Sequence, residues 1–263
     1  FGGQRILGPL DPARFHTALL TVINRHEILR TRFVERDGSP VQIIVPANEL
    51  KLDLPLLDWS TLTDAATETA LAQEAAALVE VPFDLTQIPL LRGRLIRRRA
   101  DEHVLFICIH HIVFDGWSSR IFFAEMLAAY AGETLPCMPV QYADFAHWQR
   151  TQLAGPVQTA LADYWRGQLT PVRPSLALPS DQPRPTHQTF TGRRHPVALN
   201  PQLTARLEAL ARKHDASLFM TILAGYAAVL ARSAAQEAIV IGSPTAGRDE
   251  QALEPLIGYF INP

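Results

Sequence analysis

His110 and His111 stand side by side, and Asp115-Gly116 follows within the same turn of chain, in the run Ile109-His-His-Ile-Val-Phe-Asp-Gly-Trp-Ser118. An imidazole titrates near neutral pH, at about 6.5 when unperturbed, so it can take up or release a proton under ordinary conditions. A nearby carboxylate can orient such a ring, and a glycine lets backbone approach a substrate. By residue type alone, His110, His111 and Asp115 could also hold a metal. Adjacent residues on an extended chain point to opposite faces, which makes the two histidines poor co-ligands, and no outer-shell partner is evident. We therefore set the metal reading aside. A hydrogen-bonded core histidine and a proton-handling imidazole both remain open at this level.

The elements around the run must position these groups. Val104 to Ile109 is an unbroken apolar stretch, bounded by the polar Asp101-Glu102-His103. It reads as a short strand buried on both faces. From Ser118 the pattern turns helical, through Ile121, Phe122, Glu125, Met126, Leu127 and Tyr130, with Gly132 placed to end the helix. A strand thus delivers two histidines to a turn just before a helix. Leu91, Gly93 and Leu95 alternate with Arg92 and Arg94, which reads as a half-exposed strand forming an antiparallel hairpin with Val104–Ile109. Arg97-Arg98-Arg99 then lies at the hairpin tip, as a solvated turn or, less favoured, as a contact for a protein partner.

The 263 residues are 48% hydrophobic, enough for a sizeable core in one or two lobes. With 24 basic and 26 acidic residues the formal charge is −2, which gives no reason to expect a nucleic-acid or membrane-surface partner. The two cysteines, Cys108 and Cys137, have no metal or redox spacing and suit a reducing, cytoplasmic setting. No apolar run approaches the roughly 18–20 residues of a membrane span. Both ends read as cut: the chain starts mid-pattern without Met and stops at Asn262-Pro263 as a new segment begins. A fragment of something longer is expected.

In chain order, Asp11 and Pro12 read as N-cap and first residue of a helix carrying Phe15, Leu19, Leu20, Val22 and Ile23. It runs into Arg25-His26-Glu27-Ile28-Leu29-Arg30-Thr31-Arg32-Phe33; a charged, solvated helix end is the bland reading of this stretch, and a match to a specific nine-residue pattern, given below, outweighs it. A strand over 41–45 follows the Asp37-Gly38 turn, and the Ala-rich 64–79 reads as helix. The Pro-rich run 171–185 reads as an extended linker. Beyond it, Asn200-Pro201 opens a helix striped by Leu203, Leu207 and Leu210. Ser217 opens an almost wholly apolar helix over 218–231, which is expected to be buried, and 238–242 reads as a short strand. The glycine-rich Gly242-Ser243-Pro244-Thr245-Ala246-Gly247-Arg248 lacks the Lys-Ser/Thr of a P-loop, so a phosphate site is discounted.

His-His-Ile-Val-Phe-Asp-Gly-Trp-Ser resembles the HHxxxDGWS core of condensation domains of nonribosomal peptide synthetases. HHxxxDG alone also occurs in CoA-dependent acyltransferases, but further elements follow in family order. Arg25–Phe33 resembles RHExLRTxF, and Phe83-Asp84-Leu85 with Pro89–Leu95 resembles FDLxxxPLxRxxL. Tyr142–Gln149 resembles YxDYAxWQ, and Tyr164-Trp165 with Leu178–Pro185 resembles the segment that crosses between lobes. Gly242–Arg248 and Ile257–Asn262 resemble GxPxAGR and IGxFxN.

The resemblance covers nearly the whole chain. It implies an α/β (α+β sandwich) fold, chloramphenicol acetyltransferase-like, with two lobes in a V and the second lobe truncated. The expected division is a first lobe over 1–170, a Pro-rich crossover over 171–192, and the beginning of a second lobe over 193–263. The implied reaction joins an upstream carrier-bound acyl or peptidyl thioester to the amine of a downstream carrier-bound aminoacyl thioester. Substrates would arrive on phosphopantetheine arms of carrier domains, next to an adenylation domain, with no cofactor or metal bound here. The resemblance assigns proton handling to His111 and gives Gly116 a role toward the substrate arm or the oxyanion. His110, Asp115 and Arg248 become structural support, with Asp115 and Arg248 bracing the catalytic loop against the second lobe. Arg25 and Arg30 become supports of the first lobe. His110 in place of Asp argues against a heterocyclising domain, and Gly-Trp-Ser after the Asp favours ordinary condensation with an L-type donor over epimerisation. Pro263 in place of the commoner Thr hints at a hybrid with a polyketide line. The rivals are a stand-alone acyl-CoA-dependent acyltransferase and a catalytically silent recruitment domain.

Overall fold

The computed structural model describes residues 1–170, 176–183, 185–189, 192 and 195–262. The expectations resting on Arg193, on Pro263 and on part of the run 171–185 lie outside the described residues. The chain forms two compact units, Phe1–Ala154 with Pro244–Pro263, and Gly155–Ser243. These units do not follow the linear division drawn from the Pro-rich run. The segment from Pro244 groups with the first unit because its backbone and Arg248 hydrogen-bond into that unit.

The first unit begins with strand β1 (Gly2–Leu7) and helix α1 (Pro12–Arg25). Asp11 caps α1, its carboxylate accepting the Ala13 and Arg14 N–H groups, and Pro12 occupies the first turn, where its missing N–H costs nothing. The helix stops at Arg25 because His26 turns extended, with φ −98°. Beyond His26 the charged stretch forms a 3₁₀ turn, Glu27–Arg30, leading directly into strand β2 (Thr31–Arg36). His26 is buried there rather than solvated. Strand β3 (Ser39–Ile44) returns antiparallel to β2 through Asp37-Gly38, both at positive φ, the geometry a two-residue hairpin turn demands.

Strand β4 (Leu56–Asp58), helix α2 (Asp64–Glu80), and strands β5 (Leu91–Arg99) and β6 (Glu102–Ile109) complete the main sheet, in the order β1-β6-β5-β4. β6 is central, antiparallel to both β1 and β5. Its Leu105 and Ile107 face a core built with Phe15, Leu19, Val22 and Ile23 of α1 and Phe122 and Met126 of helix α3 (Gly116–Ala131). Its Val104, Phe106 and Cys108 face Leu78 of α2. Packing on both faces is the physical reason the sequence here is a continuous apolar run rather than an alternating one. Each fully buried large side chain contributes about 1.5–3 kcal/mol. On β5, Arg92 lies over the Phe83 ring and Arg94 pairs with Glu74 of α2 at 2.9 Å, so the expected half-exposed face is partly covered. The arginines at the hairpin tip are paired: Arg97 with Asp58, Arg98 with Asp64, Glu68 and Glu102, and Arg99 with Asp64 and Glu102.

Helix α4 (Tyr142–Gln152) ends the first run of this unit. The second unit holds helices α5 (Pro156–Leu169), α6 (Pro201–Lys213) and α7 (Leu218–Ala234), with α6 and α7 capped by Asn200 and Ser217. Two expectations fail here. Helix α7 is not buried: Phe219 is 61% and Val229 62% exposed. Residues 238–242 form no strand. The reason is shared, because the described residues of this unit contain no strand that could cover α7 or pair with 238–242. No single helix among the described residues is long and apolar enough to cross a membrane.

Candidate active site

At the end of β6 the His110 N–H donates to the Leu90 carbonyl at 2.9 Å, holding the last strand residue in register. The chain then tightens into a 3₁₀ turn, His111–Val113, so the two histidines do not sit on one extended segment as expected. They still diverge. The His110 ring accepts the Ile112 N–H at Nδ1, 3.1 Å away, and lies edge-to-face against Phe83. Burial, with the neighbouring His111 charge, pushes the His110 imidazole below its usual range. The His111 residue is exposed. Its ring packs edge-to-face with Tyr259, centroids 5.1 Å apart, and its nitrogens have no hydrogen-bond partner among the described residues.

Asp115 caps α3, and its buried carboxylate is saturated. Oδ1 accepts the Ser118 N–H at 2.8 Å, the Ser118 hydroxyl at 2.7 Å and Arg248 Nη2 at 3.3 Å. Oδ2 accepts Arg248 Nη1 at 2.8 Å and the Phe260 N–H at 3.2 Å. Burial alone would push this carboxyl up, but the hydrogen bonds from Arg248, Ser118 and Phe260 outweigh it and hold it below the ordinary carboxylate range. With every acceptor site taken, the carboxylate has no free lone pair for a ring or a cation. Neither the Ser-His-Asp arrangement nor a metal site is built here.

Arg248 belongs to the same compact unit as Asp115, so their pair joins two loops of one unit. Its guanidinium also donates to the Leu256 carbonyl at 3.1 Å and lies 3.9 Å from the Phe260 ring centroid. Gly247 makes this possible. Its φ is +63°, and a Cβ there would strike the Phe260 carbonyl. Gly116 opens α3 at an exposed position, with nothing within 4 Å of where a Cβ would stand. It fronts a cavity of about 430 Å³, lined also by Trp117, Arg120, Thr245 and Ile261.

Several groups that hold this site were not singled out from sequence. Ser118 ties α3 to the last segment, its hydroxyl accepting the Gly258 N–H at 3.0 Å. The Tyr142 hydroxyl donates to the Tyr259 carbonyl at 2.8 Å. His26 Nε2 meets Glu125 at 2.8 Å, and its Nδ1 accepts the Ile257 N–H at 3.4 Å. Arg25 and Arg30, which the resemblance had named as supports, join them: Arg25 meets the same carboxylate at 3.0 Å, and Arg30 pairs with Glu27. All these residues lie inside motifs that were read, but no local pattern tells which backbone segment each will reach.

Comparison with known proteins adds a family. The Condensation domain family model matches residues 4–263. A linear gramicidin synthase of Brevibacillus parabrevis is 44% identical over 264 residues, 98% of this chain but 5% of that protein. The X-domain from teicoplanin biosynthesis, solved in complex with OxyB, aligns over 99% of this chain and 58% of that one, with a TM-score of 0.84 and 30% identity. The condensation domain described for chain release from the enacyloxin polyketide synthase aligns over 99% and 51%, with a TM-score of 0.76 and 27% identity. The chain therefore spans a twentieth of that gramicidin synthase and little more than half of these solved chains.

Proposed function

The chain belongs to the condensation-domain family, with its chloramphenicol acetyltransferase-like mixed α/β fold, and from that premise we propose that it forms amide bonds within a nonribosomal peptide synthetase. The amine of a carrier-bound aminoacyl group attacks the carbonyl of an upstream acyl or peptidyl thioester. A C–N bond forms, the C–S bond breaks, and the acyl chain moves to the downstream carrier while the donor arm leaves as a thiol. The nitrogen loses one proton.

The observation that carries this reading is the exposed His111 residue, whose ring nitrogens have no hydrogen-bond partner among the described residues, set just after a buried strand and before a carboxylate that is fully engaged elsewhere. A thioester is already activated, so the reaction asks the protein for little beyond placement and proton management. An imidazole with an unengaged nitrogen, as on His111, can accept or orient the amine proton through a hydrogen bond. Holding two tethered reactants together supplies up to about 7–11 kcal/mol, against the 10²–10⁴-fold (roughly) of general-base catalysis, so positioning is the larger contribution. In this reading Gly116, the first residue of α3, offers its N–H to the developing oxyanion; its position at the helix N-terminus supports that role. His110, Asp115 and Arg248 hold the turn. A division into a first lobe over 1–170, a crossover over 171–192 and the beginning of a second lobe from 193 belongs to the same proposal. So do carrier and adenylation domains as neighbours, substrates delivered on phosphopantetheine arms, and a cytoplasmic setting.

A second reading, a recruitment domain without catalysis, is favoured by one observation, the similarity to a domain solved in complex with OxyB. The experiment that separates the two loads donor and acceptor carriers of the parent synthetase and follows them by intact mass. A donor-plus-acceptor mass on the downstream carrier, lost in His111→Ala, supports condensation. No transfer between carriers, with capture of a tailoring enzyme, supports recruitment. Acylation of a free alcohol from acyl-CoA points instead to a stand-alone acyltransferase.

A further inference from the structure

Asp115 is spent on Arg248, Ser118 and Phe260, so it cannot orient the His111 ring. In a histidine-dependent site some other group must hold the imidazole, because a freely rotating ring presents its nitrogen to the substrate only part of the time. We propose that Tyr259 is this positioning residue, its ring fixing the plane of the His111 imidazole. The proposal rests on the amide-forming reading above.

The segment carrying Tyr259 is clamped at successive peptides. The Ile257 N–H reaches buried His26, itself held by Glu125. The Gly258 N–H reaches the Ser118 hydroxyl, whose oxygen also lies 3.0 Å from the Gly258 carbonyl. The Tyr259 carbonyl accepts from Tyr142, and the Phe260 N–H reaches Asp115. Ile257 and Phe260, on either side, are buried. A Cβ at Gly258 would collide with the Tyr142 ring, so the segment can lie this close only with glycine there.

Between these clamps the Tyr259 side chain stands apart. It is 40% exposed, and its hydroxyl makes no hydrogen bond among the described residues. Its ring meets His111 at 5.1 Å between centroids with the planes 82° apart, a favoured edge-to-face geometry for aromatic rings. A rigid backbone holding an otherwise unengaged ring against an imidazole is an arrangement for aiming that imidazole rather than for building a core. The same clamps that seat Asp115 and Arg248 therefore also set the angle of the His111 ring. The position falls on the first of the two unspecified residues of the IGxFxN element, so the motif alone gave it no role.

The test uses the parent synthetase with loaded carriers, comparing wild type, Tyr259→Ala and Tyr259→Phe. Two readouts are taken: single-turnover transfer against pH, and the rate at which diethyl pyrocarbonate modifies His111, followed by peptide mass spectrometry. Tyr259→Ala is expected to slow transfer about 2- to 10-fold at saturating carriers without weakening carrier binding, and to speed modification of His111. Tyr259→Phe is expected to restore both, since the contact is ring to ring. Wild-type transfer by Tyr259→Ala across the pH range overturns the proposal, as does Tyr259→Phe being as slow as Tyr259→Ala. If wild type transfers nothing with any carrier pair, the reaction itself is overturned. Modification of His111 then still decides the contact: an unchanged rate in Tyr259→Ala refutes it, and a faster rate upholds it.

Discussion

Arg248 closes on Asp115 with both terminal nitrogens, at 2.8 Å and 3.3 Å, and the two side chains are almost wholly withdrawn from solvent. The pair links the cap of α3 to the segment that carries Phe260, because Asp115 also accepts the Phe260 N–H. Arg248→Ala leaves a buried carboxylate without its cation and should cost about 3–5 kcal/mol of stability. Chemical denaturation of wild type and variant measures this. A change below about 0.5 kcal/mol would show that the pair does not brace the turn.

His111 has the opposite profile. It is exposed, and among the described residues it makes a ring contact but no hydrogen bond, so His111→Ala should leave stability within about 0.5 kcal/mol of wild type. Carrier-to-carrier transfer should fall by about 10²–10⁴-fold. Transfer that survives at more than about a tenth of the wild-type rate would remove His111 from proton handling.

Stability should fall with acid in two stages. His110 and His103 are held below the usual imidazole range, in both cases first by burial. Their folded forms therefore favour the neutral ring, and their contribution is complete above the unfolded value of about 6.5 and lost as pH falls toward the folded value. Asp115 is held below its ordinary range, burial opposing and the hydrogen bonds from Arg248, Ser118 and Phe260 prevailing. Its contribution is complete above about 3.9 and lost as pH falls through the folded value. Urea midpoints measured between about pH 8 and 3 should show both steps, and His103→Phe should shrink the first alone. An unchanged first step would assign it to other groups.

Gly247 tests how closely the Arg248 loop must approach its neighbour. Gly247→Ala forces a side chain into a left-handed backbone and against the Phe260 carbonyl, and should destabilise by more than about 1 kcal/mol. Gly116→Ala meets open space in this structure, so its stability should change by less than about 1 kcal/mol. A loss of transfer in that variant would then report on the substrate rather than on the fold. Thermal unfolding of the two variants side by side checks the contrast.

The sequence by itself determined the local elements that carry the site. The apolar run 104–109 could only be a strand covered on both faces, and β6 lies between α1 and α3 on one side and α2 on the other. The caps at Asp11, Asn200 and Ser217, the turn at Asp37-Gly38 and the helix stop at Gly132 followed from side-chain and backbone chemistry confined to a few neighbouring residues. Motifs in family order gave the condensation family before any coordinates, because they are long and occur together.

Only the tertiary structure decided what those residues touch. His26 stands in a stretch whose charge alone suggests a solvated helix end, yet it is buried against Glu125 and Ile257, partners 99 and 231 positions away. Tyr259 meets His111, and Ser118 meets Gly258, across similar gaps. The apolar α7 read as buried, but burial depends on what lies across from a helix, and Phe219, Met220 and Val229 of α7 remain exposed. Capping and turn formation are local, so they are written in neighbouring letters. Burial and long-range hydrogen bonds depend on which segments the fold brings together, and no single stretch of sequence carries that information.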